Sequence, residues 1–151
     1  MKLFYNDYNT FNPFKRETIL NYIVKPLMEE KLIDGIGMQS HLILKEYEKT
    51  LESFGATGLE VQVTELDIHN ADGTGEGDKK LAEAYKKLFE IYVNAKKNGT
   101  ANLTCVTFWG MKDDVSWLTG FRRERSYPLL FGDNWEEKEA YCAVMSVAEE
   151  A

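Results

Sequence analysis

A short apolar run, a polar cluster and a helical stretch follow one another four times along this chain, and that order constrains the fold more than any other feature. Strands alternating with helices predict parallel βα units, because a parallel neighbour is reached only through a crossover. The first run covers residues 2–5 and ends in Asn6-Asp7-Tyr8-Asn9. Asn12-Pro13 then supplies a cap and a pre-set first turn, and Ile19, Leu20, Ile23, Val24, Leu27 and Met28 recur at helical spacing. Pro26 should kink this helix or end it early. The second run, 32–38, ends in Gln39-Ser40-His41, with a helix expected from Leu44 to Phe54. The third run, 59–68, leads into a loop holding Gly73, Gly75 and Gly77, and a helix is expected over 78–97, closed by Asn98-Gly99. The fourth run, 103–109, is followed by a long loop and a last helix expected from Trp135 to Glu149, with Glu136-Glu137 complementing its dipole.

The 151 residues make one domain, 1–151. A closed eight-stranded βα barrel takes about 250 residues, so four units make a small open sheet or half of such a barrel. A net charge of −7 argues against nucleic acid, which requires a basic stripe. No apolar run reaches the ~18 residues of a membrane span, and no secretory leader is visible at Met1. Cys105 and Cys142 sit in apolar stretches without a neighbouring Cys or His at metal spacing, so buried thiols are expected, and no metal site. The alternating glycines fit neither dinucleotide nor nucleotide loops, and G-x-S-x-G is absent.

Function in parallel α/β folds collects at the carboxyl ends of the strands. Here those ends carry Asn6 and Tyr8, then Gln39 and His41, then Glu65 and Asp67, then Trp109. Strict alternation puts Val61, Val63, Glu65 and Asp67 on one face, which the valines mark as interior. Gly37, Gln39 and His41 share a face of the second strand, so His41 is positioned to bridge Glu65 and Asp67. Such a cluster either works on a substrate or is a buried ion pair that fixes the fold. Trp109 and Trp117 beside carboxylates suit the apolar faces of sugar rings, whereas Trp135 reads as packing.

These residues, in this order, carry a resemblance. Tyr5-Asn6-Asp7-Tyr8-Asn9, Asp34-Gly35-Ile36-Gly37-Met38-Gln39-Ser40-His41, Val63-Thr64-Glu65-Leu66-Asp67, Thr107-Phe108-Trp109-Gly110 and the loop from Asp113 through Ser116-Trp117 resemble glycoside hydrolase family 10, the endo-β-1,4-xylanases. The likeness runs from residue 2 to about 147. It implies an α/β, (β/α)8 barrel of which this chain is strands five to eight with their helices, and cleavage of xylan with retention of configuration, without a cofactor. It further implies that Glu65 is the nucleophile and that His41 and Asp67 position it. Gln39 and Trp109 would line the subsite of the sugar being cleaved, Trp117 would cover it, and Asn6 and Tyr8 would lie near the leaving-group sugar. Secretion is implied in the same way.

The family's acid/base Glu follows an apolar stretch in an Asn-Glu pair after strand four, and this sequence contains no such segment. Asp7 and Asp113 are the remaining carboxylates considered for that role. A half-barrel leaves open strand edges. The expected partners are therefore xylan or xylo-oligosaccharides, and either the N-terminal half-barrel or a second copy of the chain. The alternative is an incomplete half-barrel that binds xylan weakly or only self-associates.

Overall fold

The computed structural model describes residues 1–42 and 46–150. In chain order its elements are β1 (Phe4–Asp7), α1 (Pro13–Ile19), a π-helical turn (Leu20–Val24), α2 (Lys25–Glu29), β2 (Gly35–Met38), β3 (His41–Leu42), α3 (Tyr47–Gly55), β4 (Glu60–Ile68), α4 (Gly75–Lys97), β5 (Asn102–Phe108), a 3-10 turn (Asp113–Val115), α5 (Trp117–Arg122) and α6 (Glu139–Glu149). The expected helix start at Leu44 lies outside the described residues. β1 pairs in parallel with β2, and β2 in parallel with β4, in the registers Tyr5–Ile36–Val61 and Asp7–Met38–Val63. β3 and β5 also pair with β4. The expected parallel βα order is therefore present.

Local chemistry accounts for the first helical stretch. Asn12 Oδ1 accepts the Lys15 N–H at 3.1 Å, and Pro13 stands in the first turn. Pro26 lacks an N–H and cannot continue the i→i−4 ladder. The chain widens just before it, and Lys25 N–H bonds to Leu20 O five residues back. Pro26 then falls in the first turn of α2, where its missing donor costs little.

The chain forms two compact units, residues 1–66 with 94–107, and residues 67–93 with 108–151. In the first, Ile19, Val24, Ile36, Met38, Leu51, Phe54, Val61 and Val63 are buried. Burial of each such side chain is worth about 1.5–3 kcal/mol. In the second, Leu81, Tyr85, Leu88, Leu129, Ala140 and Val144 are buried. Tyr85 satisfies its hydroxyl by donating to Pro128 O at 2.7 Å, and Phe108 stacks on Phe89 at 5.9 Å between centroids.

Four expectations need correction. First, the valines mark the closed face of the sheet, not the face that carries the polar groups. Ile36, Met38, Val61 and Val63 are buried, whereas Asn6, Glu60, Gln62, Thr64 and Thr104 bond to one another on the other face. Toward the end of β4 the strict alternation of burial fades: Thr64 and Glu65 are both half-buried, and Leu66, Asp67 and Ile68 are all buried. Second, Cys105 and Cys142 are both exposed, Cys105 on the edge strand β5 and Cys142 on the outer side of α6. Third, the last helix starts at Glu139. Trp135 has φ +68° in the preceding loop and does not open the helix; it is 53 % exposed, with its ring 6.3 Å from Phe131 between centroids and Lys112 Nζ 5.5 Å from its own centroid. Glu136 accepts the Asn134 N–H at 2.8 Å within that loop and is not in the first helical turn. Fourth, Gly75 and Gly77 lie in the first turns of α4 and not in a loop.

Candidate active site

In the first unit the site is built on the break between β2 and β3. Ser40 has φ +65°, a conformation L side chains rarely adopt, and it is held on both sides. Its hydroxyl donates to Met38 O at 3.1 Å and bonds to the Tyr47 hydroxyl. The turn presents His41 to β4, where His41 Nε2 lies 3.2 Å from Glu65 Oε2. Both side chains are mostly buried yet keep an open side (19 % and 17 % exposed), as a carboxylate that must meet a substrate requires. Gly37 lies next to them on β2. A Cβ there would stand 2.6 Å from Asn6 Oδ1 and 3.1 Å from Thr64 Cγ2, so glycine lets those two side chains meet. Thr64 donates to Asn6 Oδ1 at 2.8 Å, and Gln39, half-buried, donates its backbone N–H to Asp7 O at 3.0 Å.

Tyr8 is exposed, with Lys15 Nζ 3.7 Å from its ring centroid. Asp7 is engaged on every side: Lys15 Nζ (2.7 Å), the Tyr5 hydroxyl (2.7 Å) and the Tyr8 N–H (2.8 Å) all donate to it. Burial works against its charge, but those donors outweigh it and hold the carboxyl below its ordinary value. Burial, reinforced by Asp7, pushes the Tyr5 phenol up to about 12. Asp7 is thus kept ionised and is no proton donor. On the polar face, hydrogen bonds from Lys2, Thr104 and Gln62 push Glu60 down to about 2.

In the second unit Asp67 is buried (1 % exposed) and accepts the Trp117 indole N–H at 2.7 Å. Trp117 opens α5 beside its cap Ser116, and its ring leans on the exposed Phe121 at 4.9 Å. Trp109 stands just past the end of β5 and is 46 % exposed. Gly110 follows with φ +143°, and a Cβ there would meet Leu129 Cδ1 at 2.7 Å. Asp113 is buried. It accepts the Leu129 N–H at 2.8 Å and Lys138 Nζ at 2.7 Å. Burial pushes its carboxyl up, and Lys138 and Leu129 only partly pull it back. Closed from water and paired, Asp113 is a structural ion pair and no acid for a substrate.

Sequence reasoning missed His69, half-buried, with Nδ1 3.0 Å from Ser126 Oγ and Nε2 3.2 Å from Glu124 Oε1. The signal was its place two residues beyond Asp67. Lys138 was missed too, since a lone Lys before a helix reads as solvated. Among the described residues no group of three or more His, Cys, Asp or Glu side chains is arranged to hold a metal ion.

The glycosyl hydrolase family 10 model matches residues 1–147. Endo-1,4-beta-xylanase B of Butyrivibrio fibrisolvens is 52 % identical over 98 % of this chain, which spans 24 % of that protein. The family 10 xylanase of Thermobacillus composti has the same fold at TM-score 0.86 and 36 % identity, over 97 % of this chain and 52 % of its own. A Clostridium thermocellum endo-1,4-beta-D-xylanase, solved with xylohexaose, gives TM-score 0.83 at 34 % identity, over 97 % of this chain and 29 % of that one. The chain thus spans from a quarter to about half the length of these relatives.

Proposed function

The chain belongs to glycosyl hydrolase family 10 and has that family's α/β, (β/α)8 fold over about half of the barrel, and we propose that it supplies the nucleophile side of an endo-1,4-β-xylanase active site. The observation that carries this reading is the His41–Glu65 pair, His41 opening β3 just past the end of β2 and Glu65 near the carboxyl end of β4. Glu65 is the nucleophile. Its carboxylate attacks the anomeric carbon of a β-1,4-linked xylose, the bond to the leaving oxygen breaks, and that oxygen takes a proton from a general acid. Water then attacks the covalent glycosyl-enzyme, giving up its proton to the same group, and configuration is retained.

The other residues serve that displacement. His41 directs Nε2–H at Glu65 and keeps the carboxylate oriented. Asp67 positions through Trp117, which covers the sugar, while Gln39 and Trp109 line its subsite. Asn6 and Tyr8 face the leaving-group side. The second carboxyl group must stand about 5–5.5 Å from Glu65. Asp7, held ionised by Lys15, and Asp113, sealed against Lys138, are both unsuited to it. The acid/base is therefore assigned to the complementary half-barrel, which is the partner this chain requires. Action on a cell-wall polysaccharide goes with a location outside the cell, and among the described residues no helix is long and apolar enough to cross a membrane.

Reducing-sugar release from xylan tests this reading, with the chain alone, the chain plus a separately made complementary half-barrel, and Glu65→Gln in both. Activity is expected only in the mixture and is expected to vanish with Glu65→Gln. Activity of the chain alone, lost in Glu65→Gln, would move the acid/base to a second copy of this chain. Activity that survives Glu65→Gln would overturn the reading.

A further inference from the structure

We propose that His69 is a positioning residue: together with Asp67 it latches both sides of the segment 116–127 onto the end of β4, and so fixes the orientation of Trp117. The observations all lie in the second unit. Asp67 accepts the Trp117 indole N–H at 2.7 Å, at the start of α5. Past the end of α5, His69 meets Glu124 Oε1 at 3.2 Å and Ser126 Oγ at 3.0 Å. The Tyr127 N–H donates to Asn70 O at 2.7 Å. The Ser126 N–H reaches back to Thr119 Oγ1 at 3.2 Å, which ties the far side of the segment to the helix that carries Trp117. Ser126 is fully buried, so its hydroxyl needs these partners.

The imidazole can hold both contacts with one proton arrangement. Nε2–H donates to Glu124, and the Ser126 hydroxyl, which rotates freely, donates to Nδ1. A second proton on Nδ1 reverses only the Ser126 bond, and that hydroxyl then has Asn70 O at 3.5 Å as acceptor. The opposite neutral tautomer would set a lone pair against the Glu124 carboxylate. Between the latches the segment exposes Phe121, Arg122 and Arg123, and Arg125 is half-buried, paired with Asp133 and 5.1 Å from the Tyr127 ring centroid. Arg123 is left-handed at φ +57°, and it turns the chain back toward His69. One latch alone leaves the segment free to pivot about the other. The consequence for sugar binding rests on the xylanase reading; the latch does not.

The latch has its own readouts in the full chain. His69→Ala is expected to speed native-state trypsin cleavage after Arg122, Arg123 and Arg125 about tenfold, and to speed hydrogen exchange at the Trp117 indole N–H, measured beside the urea midpoint so that global unfolding is accounted for. His69→Gln, which keeps a donor for Glu124, is expected to recover part of both effects. Xylohexaose is the sugar probe, and its affinity is expected to fall three- to tenfold in His69→Ala. Unchanged cleavage and unchanged indole exchange in folded His69→Ala would overturn the proposal. So would a loosened segment with unaltered xylohexaose affinity. If His69→Ala does not fold, Glu124→Ala, at an exposed residue, carries the same measurements. A wild-type chain that does not bind xylohexaose removes the sugar reading, while cleavage and exchange still decide the latch.

Discussion

A carboxylate proposed to attack carbon must hold its angle, and Glu65 has His41 Nε2 at 3.2 Å from Oε2 to orient it. A hydrogen bond to a charged group is worth about 1.5–3 kcal/mol. His41→Ala in the completed enzyme should therefore lower kcat/KM by about 10- to 100-fold. His41→Gln should restore part of that, as read from steady-state rates on xylan. Two other carboxylates of the first unit have a structural signature instead. Asp7 and Glu60 have folded values below their ordinary ones, about 2 for Glu60. Their contribution to stability is present above the usual carboxylate range near pH ~4 and is lost as pH falls through the folded values. Lys15→Ala should cost about 1 kcal/mol at pH ~6, a difference that shrinks toward pH ~2, in urea unfolding followed across that range. A gap that widened as pH fell would contradict the assignment.

At the scale of elements, the second unit depends on the Asp113–Lys138 pair, which joins the 3-10 turn after β5 to the start of α6. Both side chains are nearly closed to water (2 % and 6 % exposed). Breaking the pair leaves buried Lys138 with Asp78 at 3.5 Å and Tyr127 O at 3.0 Å, and Asp113→Ala should destabilise by about 3 kcal/mol. The double change Asp113→Leu with Lys138→Met should recover most of that loss, in a double-mutant cycle by urea unfolding. The elements were largely legible in the sequence, because helical spacing and the cap at Asn12-Pro13 are local signals. The faces of the strands were only partly so. Counting by twos marked the valine face as interior, where Val61, Val63 and Asp67 are indeed buried, but residue type alone did not show that Gln62 and Thr64 join a polar network on the opposite face. The exposure of Cys105 and Trp135 was equally hidden, since it depends on which strand is an edge and where a loop turns.

For the whole molecule, the polar groups gather at the strand ends: His41 reaches Glu65, the contact the sequence suggested, and Asp67 accepts from the Trp117 indole, a partner that strand alternation did not suggest. Among the described residues, the two other carboxylates weighed for acid catalysis, Asp7 and Asp113, are held by Lys15 and Lys138. Complementation should accordingly raise xylan hydrolysis from near zero without altering its dependence on Glu65. The most direct measurement bypasses the missing acid. A xylobioside with fluorine at carbon 2 and a dinitrophenolate leaving group needs no protonation to depart, and its glycosyl-enzyme is slow to hydrolyse. Incubated with this chain and read by peptide mass spectrometry, it should release dinitrophenolate and leave one fluoroxylobiosyl group on Glu65 and none in Glu65→Gln. A sugar found on another carboxylate, or none on a folded chain, would contradict the account.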